Sequence, residues 1–577
     1  MVINDKLNKL AGILLAKAIK DLYPDAQLGD LKLMESGFVY TFASEPTVSI
    51  KELPKISKLM SKNIDKAYTL TYEVITVSEA KKLFHGQHYK LDLISNMKDK
   101  VNIIRFGNDF VDLCENLGIE KLSSVKAFEL LNVSGIYWKG SAANAQLTGI
   151  TGAAFTNKEE LAMFKKDSQE RAERDHRKIG ADQELFMFHN LAGQGLPIWL
   201  PKGNTIIHEI DNYVYELLFK NDYQVVSTPV LGSQKLYELS GHWAHYRENM
   251  FPALNVDGEV QVLRPMTCPH HLLIYMHKPR SYRDLPYRIA EKAVLHRYES
   301  SGSLTGLERA RYMQLIDTHI VCTYPQIQEV VERCYKMTNE ASNALGIKVH
   351  SIDLALHDSK NKAKFFDNEK MWETAEDSLR SVLNKMHIKH QEVPGEAAFY
   401  GPKIDMQVQT ALGRIITAYT IQLDFLLPER FDLKYIDENG LTQRPVFVHA
   451  SVVGTLERLV SIMLEQNKGV FPLWLAPIQI ALIPVDNQKH NAYCQKIKDT
   501  LKQSLIRVEY YNNDDRLSKK IRDAQMMKIP YQLVIGDNEV NNKTVSYRKY
   551  GEQDSKEIPL NDFVKMISEQ IKSKLDK

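Results

Sequence analysis

"HRYESSGSLTGLERARYMQLIDTHIVC", residues His296–Cys322, decides how the middle of this chain is read. A Gly/Ser turn lies between two apolar, strand-like runs, "AVLHR" before it and "ARYMQLIDTHIVC" after it. Arg288, Arg297, Arg309 and Arg311 surround the turn, and an isolated Asp317 and His319 follow. A guanidinium is a planar fork of donors that suits phosphate oxygens and does not lose its charge. Arg297 and Arg311 stand beside apolar residues, where unmatched charge is costly. The residues alone leave two explanations open: an anionic ligand such as a nucleoside triphosphate, or an ion-pair network with Glu299 or Glu308.

Outward from this stretch, residues 181 to about 470 mix helices such as "NTIIHEIDNYVYELLFKN" with strands such as "VQVLRP", without regular alternation. That order favours an antiparallel α+β core over a doubly wound parallel sheet. After "FPLWLAP", the short apolar runs "IQIALIPV", "IRVEYY" and "YQLVIGD" alternate with helical stretches, as in a small three-layer α/β domain. Residues 481–577 hold 18 Lys+Arg against 14 Asp+Glu, an excess of +4 that is compatible with a polyanion partner. At the other end, "DKLNKLAGILLAKAIKDLY" places Leu7, Leu10, Leu14 and Ala18 on one face with lysines opposite, an amphipathic helix. Alternating α and β signals continue to about residue 140. The charge-dense "NKEELAMFKKDSQERAERDHRKIG", Asn157–Gly180, predicts one solvated helix that stops at Gly180 and bridges domains. The expected division is an N-terminal α/β domain over 1–160, a linker helix over 161–180, the α+β core over 181–473 and the C-terminal domain over 474–577.

A chain of 577 residues is too long for a single core, so several domains are expected. Apolar residues make up 44% and charged residues 25%, as in ordinary globular chains. With a formal charge of only +2, a polyanion must be met by local patches. Five scattered cysteines argue against a disulfide framework and for a reducing compartment. No signal-peptide core and no membrane-length apolar run is visible, so a cytoplasmic protein is expected. His319 also raises a metal question. Cys268 in "RPMTCPHH" and His449 in "PVFVHASV" are the other soft or borderline ligands, and three protein ligands with an open position is the pattern of a reactive zinc site. The intervals are long, and His270 and His271 are rivals.

The residues also carry a resemblance. "KPRSYRDLPYRIAEKAVLHRYESSGSLTGLERAR" resembles motif 2 of the class II aminoacyl-tRNA synthetases and "GTLERL", Gly454–Leu459, resembles motif 3. Pro229 in "VVSTPVL" sits where the motif 1 proline belongs. With "SGHWAHYRENMF", "RPMTCPHH", "GEAAFYGPKID", "TIQLDF" and "FPLWLAP", the chain is similar to the threonyl-tRNA synthetases from about Leu7 to its end. That resemblance implies an ATP-dependent ligase that makes threonyl-adenylate and passes threonine to tRNA(Thr), with Mg²⁺ assisting and one Zn²⁺ per subunit of a homodimer. It implies zinc ligands at Cys268, His319 and His449. Asp317 matches the acid that receives the threonine hydroxyl, and Tyr400 and Gln422 line the same pocket. Arg297 matches the arginine on the α-phosphate and Arg458 the one on the γ-phosphate. Glu299, Arg309, Arg311, Met313 and Thr417 are assigned to the nucleotide. His242 and Lys403 join the catalytic set, and Arg522, Glu539 and Arg548 match anticodon-reading positions.

Two departures from the family pattern matter. The chain starts after the family's ubiquitin-like domain, and its first domain resembles the editing domain without its imidazoles. Lys9, Ile13 and Lys17 stand in the helix that carries the histidine pair, Asp112 and Cys114 remain, Gly118 replaces a histidine, and Glu129 replaces a lysine. Without an imidazole no group near neutral pKa remains to activate water, so loss of editing is expected. In the synthetic site, Tyr312, Met313, Leu315, Ile316, Thr417 and Tyr419 depart from the usual residues. They read as coordinated changes in facing parts of one pocket. Lineage drift with repacking and altered ligand recognition, such as tolerance of a natural inhibitor, both account for them. A paralogue that binds RNA or an amino acid without charging tRNA is the rival function.

Overall fold

In a computed structural model of the chain, residues 4–34, 36–66, 68–141, 144–410 and 413–574 are described. They form two compact units, 1–170 and 171–577.

In the first unit the helix Asp5–Leu22 packs on a four-stranded antiparallel sheet ordered 27–34, 37–43, 146–155 and 127–137. The helix Leu53–Asp65 also packs against it, so Leu10 to Leu15 and Ala18 to Ile19 are buried almost all round. The solvated lysine face expected from periodicity is therefore narrower than predicted. Lys17 is only 5% exposed and pairs with Asp21, while Lys9 pairs with Glu115. A separate three-stranded sheet, 70–76, 100–106 and 110–113, packs its own small core of Ala80, Phe84, Ile94, Val101 and Ile103.

The charged segment is two helices, Lys158–Arg174 and His176–Asp182, rather than one. Asp175 separates them, its carboxylate accepting the peptide N–H of Arg177 as an N-cap. Gly180 does not stop the second helix but lies inside it. A Cβ there would sit 2.2 Å from the Phe186 ring, so the glycine answers packing rather than termination.

The second unit is built on an eight-stranded sheet ordered 224–225, 287–296, 312–322, 446–455, 415–424, 403–409, 351–356 and 391–394. Its inner pairings are antiparallel, as the irregular strand–helix order predicted. The two outermost pairings are parallel, a feature the sequence pattern did not signal. Strand alternation splits the sheet into two faces. One face carries Ile316, Ile320, Ile404, Ile421, Leu423, Val448 and Ala450 into the main core, with the helices Pro201–Lys220, Ile327–Ala344, Glu369–Lys385 and Leu456–Gln466. The other face presents polar residues in rows. Cross-strand register lines up Ile289, His319, His449, Gln422 and Lys403. The adjacent row holds Glu291, Asp317 and Ser451, and Thr420 stands opposite Asp405.

The C-terminal part has a five-stranded sheet ordered 508–510, 480–484, 531–535, 544–549 and 556–559, parallel in its first three strands and antiparallel after them. Ile480 and Leu482 face the helices Asn491–Gln503 and Leu560–Ser573, while Ala481 and Ile483 face Leu517–Met526. Burial on both faces explains the continuous apolar run "IALIP" and gives the expected three layers.

Candidate active site and metal centre

Cys268 opens the helix Cys268–Met276, which is anchored on the polar face of the sheet by Leu272 and Tyr275 against Ile289, Val321 and Phe447. His319 and His449 are directly opposed residues of neighbouring strands. The thiol and one nitrogen of each ring lie within 4.8 Å of one another, and all three residues are buried. His319 Nε2 and His449 Nδ1 are 3.0 Å apart.

The outer contacts fix which nitrogens carry protons. His449 Nε2 lies 2.9 Å from Asp424 Oδ2, and Asp424 Oδ1 already accepts the peptide N–H groups of Leu426 and Leu427. His449 must therefore donate from Nε2 and leave Nδ1 bare. On the other side, His271 Nε2 lies 3.1 Å from Glu291 Oε2. Burial raises the Glu291 pKa, but hydrogen bonds from His271 and Thr228 and the Arg264 charge outweigh it and hold that carboxyl down at about 2. The Glu291 carboxylate claims the Nε2 proton of His271; with that single proton on the ring, Nδ1 accepts from His319 Nδ1, 2.8 Å away. His319 Nε2 is then bare as well. Two lone pairs facing each other at 3.0 Å beside a thiol repel unless a cation lies between them. For tetrahedral Zn–N bonds of about 2.0 Å the two nitrogens would be about 3.3 Å apart, so the donor set fits that ion. His270 lies outside this cluster, against Tyr237 and Gly232.

Around this centre the sequence-predicted residues come together. Asp317, next row to His319, accepts a hydrogen bond from Thr267, and burial pushes its pKa up. Tyr400 stacks on His449 with ring centroids 5.0 Å apart and donates to Gln422 Oε1 at 2.5 Å. His242 is fully buried, hydrogen-bonded to Ser240 at 2.8 Å, with Nε2 3.8 Å from the Cys268 sulfur. Burial, then the nearby His449, lowers its pKa to about 3 and keeps the ring neutral. Lys403 shares the row of Gln422 but pairs with Asp405.

The arginines of the opening stretch divide into two groups. Arg309 pairs with Glu299 at 2.8 Å, and Arg311 donates to the Glu299 carbonyl at 2.9 Å. Glu308 pairs with Arg414. Among the described residues neither acid pairs with Arg297 or Arg458. Arg297 lies over the Tyr246 ring at 5.8 Å, with a buried Nε that has no hydrogen-bond partner. Among the described residues, Arg458 hydrogen-bonds only to main-chain oxygens of Glu308 and Thr417, at 3.2 and 3.1 Å. Burial, and after it the Arg297 charge, lowers the Arg458 pKa. Two cations lacking carboxylate partners leave room for an anion. The ion-pair network thus accounts for Arg309, and main-chain carbonyls hold Arg311, but neither accounts for Arg297 and Arg458.

The departures from the family pattern do not all face one pocket, contrary to expectation. Met313 and Leu315 lie on the polar face, packed with Ala293 and Leu295. Thr417 lies there too, bonded to Gln407. Ile316 and Tyr419 point instead into the main core on the opposite face, because the strand period turns alternate residues away. Their identity follows from core packing. The C-terminal residues separate similarly. Glu539 and Arg548 line one cavity of about 280 Å³ with Gln532 and Ser546. Arg522 lines a different cleft of about 630 Å³, beside Lys528 and Tyr550.

In the first unit Asp112 is 1% exposed and pairs with Lys90, itself 2% exposed, while Tyr40 donates to the same carboxylate at 2.5 Å. Burial, with the Asp112 charge second, pushes the Cys114 thiol up to about 12. Residues 1–170 contain two histidines, His85 and His88, both exposed. Sequence reasoning missed Lys90 and Tyr40, which no local spacing links to Asp112. It also missed Asp424, whose signal was a lone acid closing the apolar strand "TIQLD".

Residues 254–467 match the tRNA synthetase class II core domain (G, H, P, S and T), and residues 479–570 match an anticodon binding domain. The chain is 48% identical to a threonine–tRNA ligase of Ureaplasma parvum serovar 3 over 575 residues, covering 99% of each chain. It is 44% identical to a threonine–tRNA ligase of a Geobacillus species, covering 98% of this chain and 89% of the relative. Among solved structures, the RNA binding domain of threonyl-tRNA synthetase from Cryptosporidium parvum superposes with a TM-score of 0.65 at 34% identity, over 69% of this chain and 98% of that one. With a class II core, an anticodon-binding domain and full-length relatives of this kind, the chain belongs to the threonine–tRNA ligase family.

Proposed function

We propose that this ligase recognises threonine through a zinc ion held by Cys268, His319 and His449, and charges tRNA(Thr) without proofreading. The two bare nitrogens facing each other at 3.0 Å, each forced by an outer carboxylate, carry the metal reading. When bound, the ion supplies a Lewis-acid contact for the amino and hydroxyl groups of threonine, which excludes an isosteric methyl. Asp317 receives the substrate hydroxyl, and Tyr400 and Gln422 close the pocket around it. Arg297 holds the α-phosphate of ATP and offsets the charge that develops as the carboxylate attacks, Arg458 holds the γ-phosphate, and Mg²⁺ assists. Met313 packs with Ala293, Leu295 and Leu315 and contacts the adenine, a contact its polarizable sulfur suits. His242, neutral and next to the centre, serves transfer to the tRNA. Lys403, tied to Asp405, orients the same row of the sheet. Glu539 and Arg548 line an anticodon-base pocket in the C-terminal domain, with Arg522 on the neighbouring cleft. We assign the enzyme to the cytoplasm as a homodimer; the five free cysteines and the lack of any membrane-length apolar helix among the described residues agree with that setting.

Loss of editing rests on chemistry. The site that would hydrolyse an ester has lysines ion-paired in place of imidazoles and an Asp112 locked to Lys90 and Tyr40. Serine lacks only a methyl, which discriminates by about 1–3 kcal/mol, or roughly 10–200-fold. Amino-acid-dependent ATP–pyrophosphate exchange across all twenty amino acids, with zinc quantified on the same sample, tests the first reading. Threonine dominates and serine follows at a lower rate, with one zinc per chain. No exchange with zinc-loaded protein would instead favour a non-charging paralogue. Preformed Ser-tRNA(Thr) incubated with the enzyme stays acylated; rapid deacylation refutes the second.

A further inference from the structure

The chain passes His176 between the two nucleotide-binding motifs. His176 is 2% exposed, in the first turn of the helix His176–Asp182. Its Nε2 lies 3.1 Å from the peptide nitrogen of Leu307, and its Nδ1 lies 2.7 Å from Glu465 Oε1. A peptide N–H only donates, so Nε2 accepts and Nδ1 carries the proton toward the carboxylate. The tautomer is thereby fixed, and both ring nitrogens are used. Leu307 belongs to the loop between the strands Tyr287–His296 and Tyr312–Cys322, the loop that carries Arg297, Glu299, Arg309 and Arg311. Glu465 lies on the helix of Arg458, seven residues further on, and so on the same face two turns away.

Arg458 itself grips the next link of that loop, donating to the carbonyl of Glu308 at 3.2 Å. The loop is thus held to one helix face twice, at Leu307 through the imidazole and at Glu308 through the guanidinium. Gly306 lets the loop come this close. It sits at φ +50°, and a Cβ there would stand 2.3 Å from His176 Nε2. Arg174, just before the helix break, donates to the carbonyls of Glu465 and Gln466 at 3.1 and 3.0 Å, which steadies the same end of the Arg458 helix.

We infer that His176 is a positioning residue for ATP: by accepting from Leu307 and donating to Glu465, it sets the distance between the loop arginine, Arg297, and the helix arginine, Arg458. The inference rests on the placement of ATP between those two guanidiniums. It touches neither threonine nor the metal centre.

The pair H176N and H176Q separates the two hydrogen bonds in the full-length, zinc-loaded enzyme. Asparagine keeps an N–H near the Nδ1 position for Glu465 and leaves Leu307 without an acceptor. Glutamine places an acceptor oxygen near the Nε2 position. In threonine-dependent ATP–pyrophosphate exchange, H176N raises the KM for ATP about tenfold, the scale of a buried N–H left unpaired, with the KM for threonine changed by less than about twofold. H176Q brings the ATP KM back to within about threefold of the parent. Hydrogen exchange at the Leu307 amide is fast in H176N and slow in H176Q and the parent. An unchanged ATP KM in H176N, equal rises for both substrates, or an H176Q no better than H176N would each overturn the inference. Should H176N not fold, H176Q with a near-parental ATP KM and a protected Leu307 amide supports it, and a raised KM with a protected amide overturns it. An R297A variant with an unchanged ATP KM would overturn the ATP placement itself, while leaving the Leu307 exchange result to stand or fall separately.

Discussion

Replacing Asp424 by asparagine tests the tautomer logic of the proposed metal centre. Asp424 is fully buried, with Oδ1 capping Leu426 and Leu427 and Oδ2 accepting from His449 Nε2 at 2.9 Å. An asparagine is isosteric, but its two ends are no longer equivalent. Its oxygen is claimed by the two peptide N–H groups, at 2.9 and 2.8 Å in the parent, so its NH₂ must turn toward His449. His449 then accepts at Nε2 and carries its proton on Nδ1, the nitrogen facing His319 at 3.0 Å. A protonated nitrogen cannot ligate. Holding the other tautomer costs about 1.4–2.8 kcal/mol, which is about 10–100-fold in metal affinity, the range found when an outer partner of a ligating histidine is removed. Competition with a chromogenic chelator, followed by zinc analysis, measures the affinity directly. The threonine KM rises in parallel and the ATP KM does not, since no hydrogen bond among the described residues ties Asp424 or His449 to Arg297 and Arg458, the proposed nucleotide arginines. A D424N protein that keeps parental zinc affinity would refute the assignment of His449 Nδ1 as a ligand atom.

Three further outcomes follow from other sites. Burial pushes the Glu457 pKa up to about 7 despite N–H donors from Gln314 and Trp199, so the native state holds a proton that the unfolded chain releases above 4.5. Stability from this group is full below that value and is lost as pH rises to about 7, by about 3 kcal/mol; Tm measured across this window falls for the parent and is flatter for E457Q. K90M leaves Asp112 buried without its cation and destabilises the first unit by about 3–5 kcal/mol, seen as an earlier thermal transition, while threonine activation is unchanged. In G401A the new Cβ would stand 1.7 Å from the Leu423 carbonyl, so the strand pairing shifts and carries Tyr400 with it. The threonine KM rises about tenfold or more, read in steady-state exchange.

The fold was legible wherever one physical signal dominated. The strand-like run "YMQLIDTHIVC" was readable as a strand of the antiparallel core, and continuous apolar runs marked the parallel strands near the C-terminus. The site was legible as a set of residue types, through the resemblance, but not as a constellation. Cys268, His319 and His449 are separated by 51 and 130 positions in the chain, and only strand register brings the two rings together. Errors came where a local rule met a tertiary one. Gly180 looks like a helix stop but makes room for Phe186, and Ile316 and Tyr419 look like pocket changes but fill the core. The helix Asp5–Leu22 hid its burial because lysines can pair and still be covered. An outer partner such as His176 leaves almost no trace in sequence, since it acts through another side chain.

The directly opposed pairing of His319 and His449 has a consequence for how this enzyme can evolve. Point substitutions around the pocket are tolerable, as Met313, Leu315 and Thr417 illustrate. An insertion or deletion of one residue in either strand is different: it reverses parity from that point on, burying an imidazole among aliphatic side chains and exposing an isoleucine to the substrate. Length in these two strands is therefore frozen in a way that residue identity is not.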